Sequence, residues 1–218
     1  FVEKEDELQK VEGYKNVFKD IYPTLRTAQT EILTVKEKKT PAEIAVLAKQ
    51  VVQGEVSADT LSLEEMLFAA AQTPSLEEKA ALYKAATKKN DNSAVAHNNY
   101  GAVHLELALQ ADGAQMEELV EQGINQFDIS LKKQESAEAY ANLASGYAMQ
   151  GNYEKAYDNA MKAQGMSLST DNERGLMGVK GALEIMMADY DKAVSSLNNA
   201  KEAEVNMYNK GLAQILKG

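Results

Sequence analysis

The stretch Tyr140-Ala-Asn-Leu-Ala-Ser-Gly-Tyr-Ala-Met-Gln-Gly-Asn-Tyr-Glu-Lys-Ala-Tyr-Asp-Asn-Ala-Met-Lys-Ala163 reads as two helices joined by a tight turn at Gly151. Counting Ala137 as position 1, bulky residues fall at Tyr140, Leu143 and Tyr147, and an aromatic, Tyr153, follows the turn glycine. Small residues fall at Ala144, Ala156 and Ala163. Small residues where two helices cross let the backbones approach, and large ones fill the spaces between helices and between neighbouring hairpins. A single hairpin cannot bury its own apolar face, so units of this kind must stack.

The frame recurs along the chain. Downstream, Met177, Lys180 and Gly181, then Ala188-Asp-Tyr190, Ala193, Leu197 and Ala200, take the same slots in a unit beginning near Arg174. Upstream, His97, Tyr100, Gly101 and His104 match the first helix of a unit beginning near Ala94, and Gly123, Phe127 and Ser130 its second. Extra residues separate those two halves, which predicts longer helices or an expanded turn around Ala111-Asp-Gly-Ala114. A weaker copy starts near Thr60, with Leu63, Met66, Leu67, Ala70, Leu76, Tyr83 and Ala86. The last copy is half a unit: Met207, Lys210 and Gly211 are positions 4, 7 and 8, and Gly218 falls on the turn glycine.

This pattern resembles the tetratricopeptide repeat (TPR) family. The resemblance implies an all-α fold, a TPR-type α-solenoid of antiparallel helix hairpins in a right-handed superhelix. The expected array covers 60–218, with repeats near 60–93, 94–136, 137–173 and 174–203 and a half repeat at 204–218. It also implies a protein-binding scaffold and not an enzyme, with a concave groove lined by the first helix of each repeat. Asn99, Asn142 and Asn209 all occupy position 6 on that side. Two readings of them stand: a carboxamide ladder that bonds the backbone of an extended peptide, or a residue simply frequent at this position in the family. Other groove positions give Asn98, Ala102, Glu138, Ala141, Ser145 and Met149. Gly178, Ala182 and Ile185 follow from the next repeat. The expected lining is small and apolar and has no basic residue. TPR domains that clamp chaperone C-terminal carboxylates place Lys and Arg at these positions, so that mode does not fit.

Composition agrees with helix and narrows the partners. Three prolines and 13 glycines interrupt 218 residues of which 44% are apolar and 26% charged. The residues that dominate lose least on entering a helix. A formal charge of −10 with no Lys/Arg block repels phosphate backbones, so nucleic acid is not expected as a partner. No apolar run reaches the length of a membrane-spanning helix, so direct membrane insertion of this segment is not expected. The absence of cysteine excludes disulfides and thiol chemistry.

No cofactor, metal or catalytic site is expected. His97 and His104 lie two turns apart on bulky core slots, whereas helical zinc motifs use i, i+4 pairs. They read as packed histidines. Acidic pairs such as Glu117-Glu118 point apart on a helix and read as solvated surface. Met161, Met166, Met177, Met186 and Met187 sit at helical spacing and read as core filler.

Residues 1–53 do not fit the repeat. Residues 3–20 read as an amphipathic helix with Leu8, Val11, Val17 and Phe18, broken at Pro23. Residues 27–36 fit strand as well as helix. Thr40-Pro41-Ala-Glu43 is a helix start leading into a helix near 41–52, and 54–60 reads as a linker. The run Phe18-Lys-Asp-Ile-Tyr-Pro-Thr-Leu-Arg-Thr-Ala-Gln-Thr-Glu-Ile-Leu-Thr-Val35 resembles the end of OmpA-like envelope domains of Bacteroidetes. That resemblance implies an outer-membrane-associated or periplasmic setting, with a cytoplasmic one as the alternative. The chain opens at Phe1 without an initiator Met, and the expectation is a segment of a longer protein.

The expected function is therefore a non-catalytic interaction scaffold binding an extended peptide or protein on its concave face. The alternative is a structural spacer or a weak homo-oligomer, in which the apolar face of 204–217 (Met207, Leu212, Ile215) pairs with another copy. A third expectation is a non-catalytic accessory to an enzyme or secretion machine.

Overall fold

A computed structural model describes residues 4, 7, 8, 10–16, 19 and 38–218. The chain forms two compact units, Phe1–Lys38 and Lys39–Gly218. In the first, Tyr14–Asn16 is a single helical turn. The backbone bonds around it run from a residue to the third before it, as in Tyr14 N–H to Val11 O at 3.1 Å. Gly13 has φ +96°, which a continuous helix over 3–20 does not accommodate. Pro23, residues 27–36 and most of the OmpA-like stretch lie outside the described residues.

The second unit is all-helical among the described residues. Its ten α-helices are α1 (Pro41–Gln53), α2 (Leu63–Gln72), α3 (Leu76–Lys89), α4 (Ala94–Ala108), α5 (Gly113–Lys133), α6 (Ala137–Met149), α7 (Tyr153–Gln164), α8 (Thr170–Met186), α9 (Tyr190–Asn198) and α10 (Glu204–Lys217). Each helix packs chiefly on the one before and the one after, the contact pattern of a solenoid.

Local sequence explains the punctuation. Thr40 and Glu43 form a capping box: Glu43 N–H donates to Thr40 Oγ1 at 3.3 Å, and Thr40 N–H donates to Glu43 Oε2 at 2.7 Å. These bonds to the carboxylate hold the Glu43 carboxyl below the usual range. Gly54, at φ +75°, closes α1. The stretch expected as a linker contains a 3-10 turn, Ala58–Thr60. Ser62, Ser75, Ser93, Ser136 and Ser169 cap five further helices through their hydroxyls. Gly151, at φ +76°, makes the α6–α7 turn read from the quoted stretch.

Packing follows the small-and-large frame. Ala144, Ala156, Ala160, Ala163 and Ala193 are fully buried, and Phe127 is the largest fully buried side chain. A Cβ on Gly101 would lie 2.6 Å from the Phe127 ring and 2.8 Å from Gly123 O. At the same slot of the later repeat, a Cβ on Gly181 would lie 2.4 Å from Leu197 Cγ. Glycine at these positions sets how closely the two helices of each hairpin approach.

One alternative is decided and three expectations change. The extra residues of the 94–136 repeat go into α5, which runs 21 residues. Helix α8 begins at Thr170, one turn before Arg174. Helix α1 belongs to the same compact unit as the repeats and packs on α2 and α3. Of the five methionines read as core filler, only Met177 is buried; Met161, Met166, Met186 and Met187 are exposed, because their slots face solvent in the folded frame.

Candidate functional site

Glu138, Ala141, Asn142 and Ser145 recur at three- and four-residue steps on α6, so they share one face. The structure places all four in one depression of about 440 Å³, together with Asn98 from α4. Its far wall comes from the first turns of α8: Asp171, Asn172, Gly175, Leu176 and Val179. Lys201, from the loop after α9, closes the end. A second depression of about 240 Å³ lies alongside, lined in part by Val95, Asn99, Gln134 and Ser136. Asn98 and Glu138 line both, so they form the shared wall between the two.

A carboxamide chain crosses that wall. Asn142 Nδ2 donates to Asn98 Oδ1 at 3.1 Å, linking α6 to α4 of the preceding repeat. Asn98 Nδ2 donates to Asn99 Oδ1 at a longer 3.4 Å. The two position-6 asparagines are thus joined through Asn98. Asn142 keeps its carbonyl oxygen, an acceptor for an incoming N–H.

Six expected groove residues, Ala102, Met149, Asn209, Gly178, Ala182 and Ile185, line neither groove depression. Ala102 is half-buried against the Leu105–Phe127 core cluster. Met149 packs on the same cluster and lines a separate depression beside Met116, Glu117, Val120 and Glu121. Asn209 is half-buried on α10 and borders neither groove depression. Gly178 faces α10, where a Cβ would lie 2.7 Å from Asn206 Oδ1.

The groove is also more polar than its sequence suggests. Lys201 Nζ pairs with Asp171 at 3.0 Å at its rim, and the extra first turn of α8 contributes Asn172. A signal for that turn was present: Ser169 is a helix cap, and Asn172 N–H donates to its hydroxyl at 3.3 Å.

Both histidines are buried and serve packing slots. His97 Nδ1 lies 2.8 Å from Gln126 Oε1 and its Nε2 3.1 Å from Asp91 O. His104 packs against Tyr100 with ring centroids 4.5 Å apart and planes tilted by 52°, and its Nδ1 is buried without a hydrogen-bond partner among the described residues. Burial, with the Lys84 charge second, pushes the His104 pKa down and favours the neutral ring. A buried polar group unforeseen in the sequence is Glu184, 2% exposed, which accepts from the Tyr157 hydroxyl at 3.2 Å and lies 3.9 Å from Lys180 Nζ.

No protein-family model matches the chain. No curated protein matches it either. Solved structures do. The thermophilic TPR protein TTC0263 of Thermus thermophilus aligns at TM-score 0.62 and 12% identity, over 81% of this chain and 100% of that one. YrrB, described as a TPR protein with an unusual peptide-binding site, aligns at TM-score 0.52 and 16% identity, over 76% and 83%. MamA aligns at TM-score 0.55 and 14% identity, over 80% and 91%. At these identities the likeness is one of fold.

Proposed function

From a TPR-type α-solenoid with a polar depression on the first helices of its repeats, we propose a non-catalytic scaffold that binds an extended peptide or protein segment on its concave face. The carrying observation is the bond from Asn142 to Asn98, which brings side chains of two successive repeats to one wall of the groove. An extended segment has unpaired backbone donors and acceptors, and carboxamides can serve both. A peptide-binding site in a protein of like fold supports the reading. A cell-envelope setting belongs to the same proposal and rests on the sequence at 18–35 alone.

The test is a selection of short peptides displayed against the chain, followed by affinities for Asn98→Ala/Asn142→Ala. Loss of binding with an unchanged melting curve supports the groove. Undiminished binding to the double variant removes it.

A second reading, self-association, is favoured by one observation. On α10, Val205, Met207, Tyr208 and Ile215 are 62–78% exposed. Among the described residues Gly211 there has nothing within 4 Å of a Cβ, where its counterparts Gly101 and Gly181 meet a partner helix. Sedimentation decides it: concentration-dependent dimers abolished by Ile215→Glu support self-association, and a monomer at every concentration ends it.

A further inference from the structure

Charge sets what the groove accepts. Glu138 stands on the wall shared by the two depressions and enters none of the ion pairs among the described residues. The other two charged residues of the larger depression neutralise each other: Lys201 and Asp171 are paired at 3.0 Å. The net side-chain charge lining the two depressions is therefore that of one carboxylate, Glu138, in the first turn of α6. It stands at the point where any segment passing from one depression to the other must cross. The chain as a whole carries −10, which raises the concentration of cations near its surface and repels acidic segments.

The depression beside Glu138 is apolar at its base. Ala141, Leu176 and Val179 present only hydrocarbon there. Glu138 precedes Ala141 by about one helical turn, roughly 5 Å along α6. In an extended segment, alternate residues face the same side at about 6.6 Å intervals, so one side chain can reach the carboxylate while the next but one enters the apolar base.

Resting on the proposed peptide-binding role of this face, we infer that its occupant is a basic extended segment: a Lys or Arg seated against Glu138, with a small aliphatic residue two positions along. Asn98 and Asn142 then engage the backbone between the two. This is the reverse of a carboxylate clamp, which would require free cations in the groove.

The test uses three capped hexapeptides, Ala-Ala-X-Ala-Val-Ala with X as Lys, Gln or Glu, titrated into the isotope-labelled chain and followed by amide shifts. Affinity should fall in the order Lys, Gln, Glu, with Lys ahead of Gln by about fivefold at low salt, the size of one partly exposed charge pair. That advantage should shrink as salt rises. Glu138→Gln should erase the difference between the Lys and Gln peptides. Glu154→Gln, which removes an equal charge on α7, should leave the Lys advantage intact. If all three peptides bind the Asn98–Asn142 face equally, or Glu138→Gln leaves the Lys preference in place, the basic-segment inference is overturned while the groove stands. If none shifts the Asn98–Asn142 face, the groove reading itself fails.

Discussion

Gly181 and Gly211 occupy the same slot of two successive repeats and should respond in opposite directions to one added methyl group. In a helix interior, glycine is about 0.8–1.0 kcal/mol less favourable than alanine. At Gly211 a Cβ has open space around it, so Gly211→Ala should stabilise by about 0.5–1 kcal/mol. At Gly181 the same Cβ would sit 2.4 Å from Leu197 Cγ, and 2.9 and 3.2 Å from its two Cδ atoms. Leu197 is 5% exposed, so the whole side chain or the helix carrying it must move. Overpacking of that kind costs about 1–3 kcal/mol. Net of the propensity gain, Gly181→Ala should lose about 1 kcal/mol, leaving the variants about 2 kcal/mol apart. Urea denaturation followed by circular dichroism measures both, and native-state hydrogen exchange shows whether the α8–α9 hairpin alone loosens. Stabilisation by Gly181→Ala equal to that by Gly211→Ala would refute the close-approach argument and the repeat register behind it.

Three further outcomes follow from the buried groups. Phe127→Ala removes a fully buried ring and should cost about 3–5 kcal/mol in the same denaturation assay. Below the ordinary histidine value of about 6.5, the unfolded chain takes up the His104 proton more readily than the folded one. Stability should therefore fall as pH drops through that range, and His104→Phe should flatten the slope in pH-dependent melting. Lys180→Leu strips Glu184 of its nearest cation and should cost about 3–5 kcal/mol, whereas the Lys180→Leu/Glu184→Leu pair should recover most of that loss by thermal unfolding.

The repeat was legible because its markers are covalently local. Gly151 with Tyr153, and the alanines at 144, 156 and 163, state a helix crossing within one hairpin, and the folded chain uses them so. Helical periodicity puts Glu138, Ala141, Asn142 and Ser145 on one face of α6, the TPR resemblance implies that this face is the concave one, and the four line a single depression. What escaped depends on contacts between distant residues. Lys201 enters the site from a loop 30 residues away from Asp171, and no local pattern announces that pairing. Met149 and Ala102 sit at nominal groove positions, yet the long α5 helix and its core draw them inward. Glu184 takes an aromatic slot, where Tyr157 and Lys180 meet its Oε1 and its Oε2 is buried without a hydrogen-bond partner among the described residues. The four exposed methionines show the limit of helical spacing, which gives a face but not which neighbour covers it.

In the proposed complex an extended segment lies across the wall made by Asn98, Glu138 and Asn142. The most direct measurement is a set of intermolecular nuclear Overhauser contacts between the Lys hexapeptide and the labelled side-chain amides of the chain. Contacts from the peptide backbone to the Asn98 and Asn142 carboxamides, with the lysine side chain nearest Glu138, are the predicted result. Contacts confined to α10 or to the outer helices α7 and α9 would contradict it.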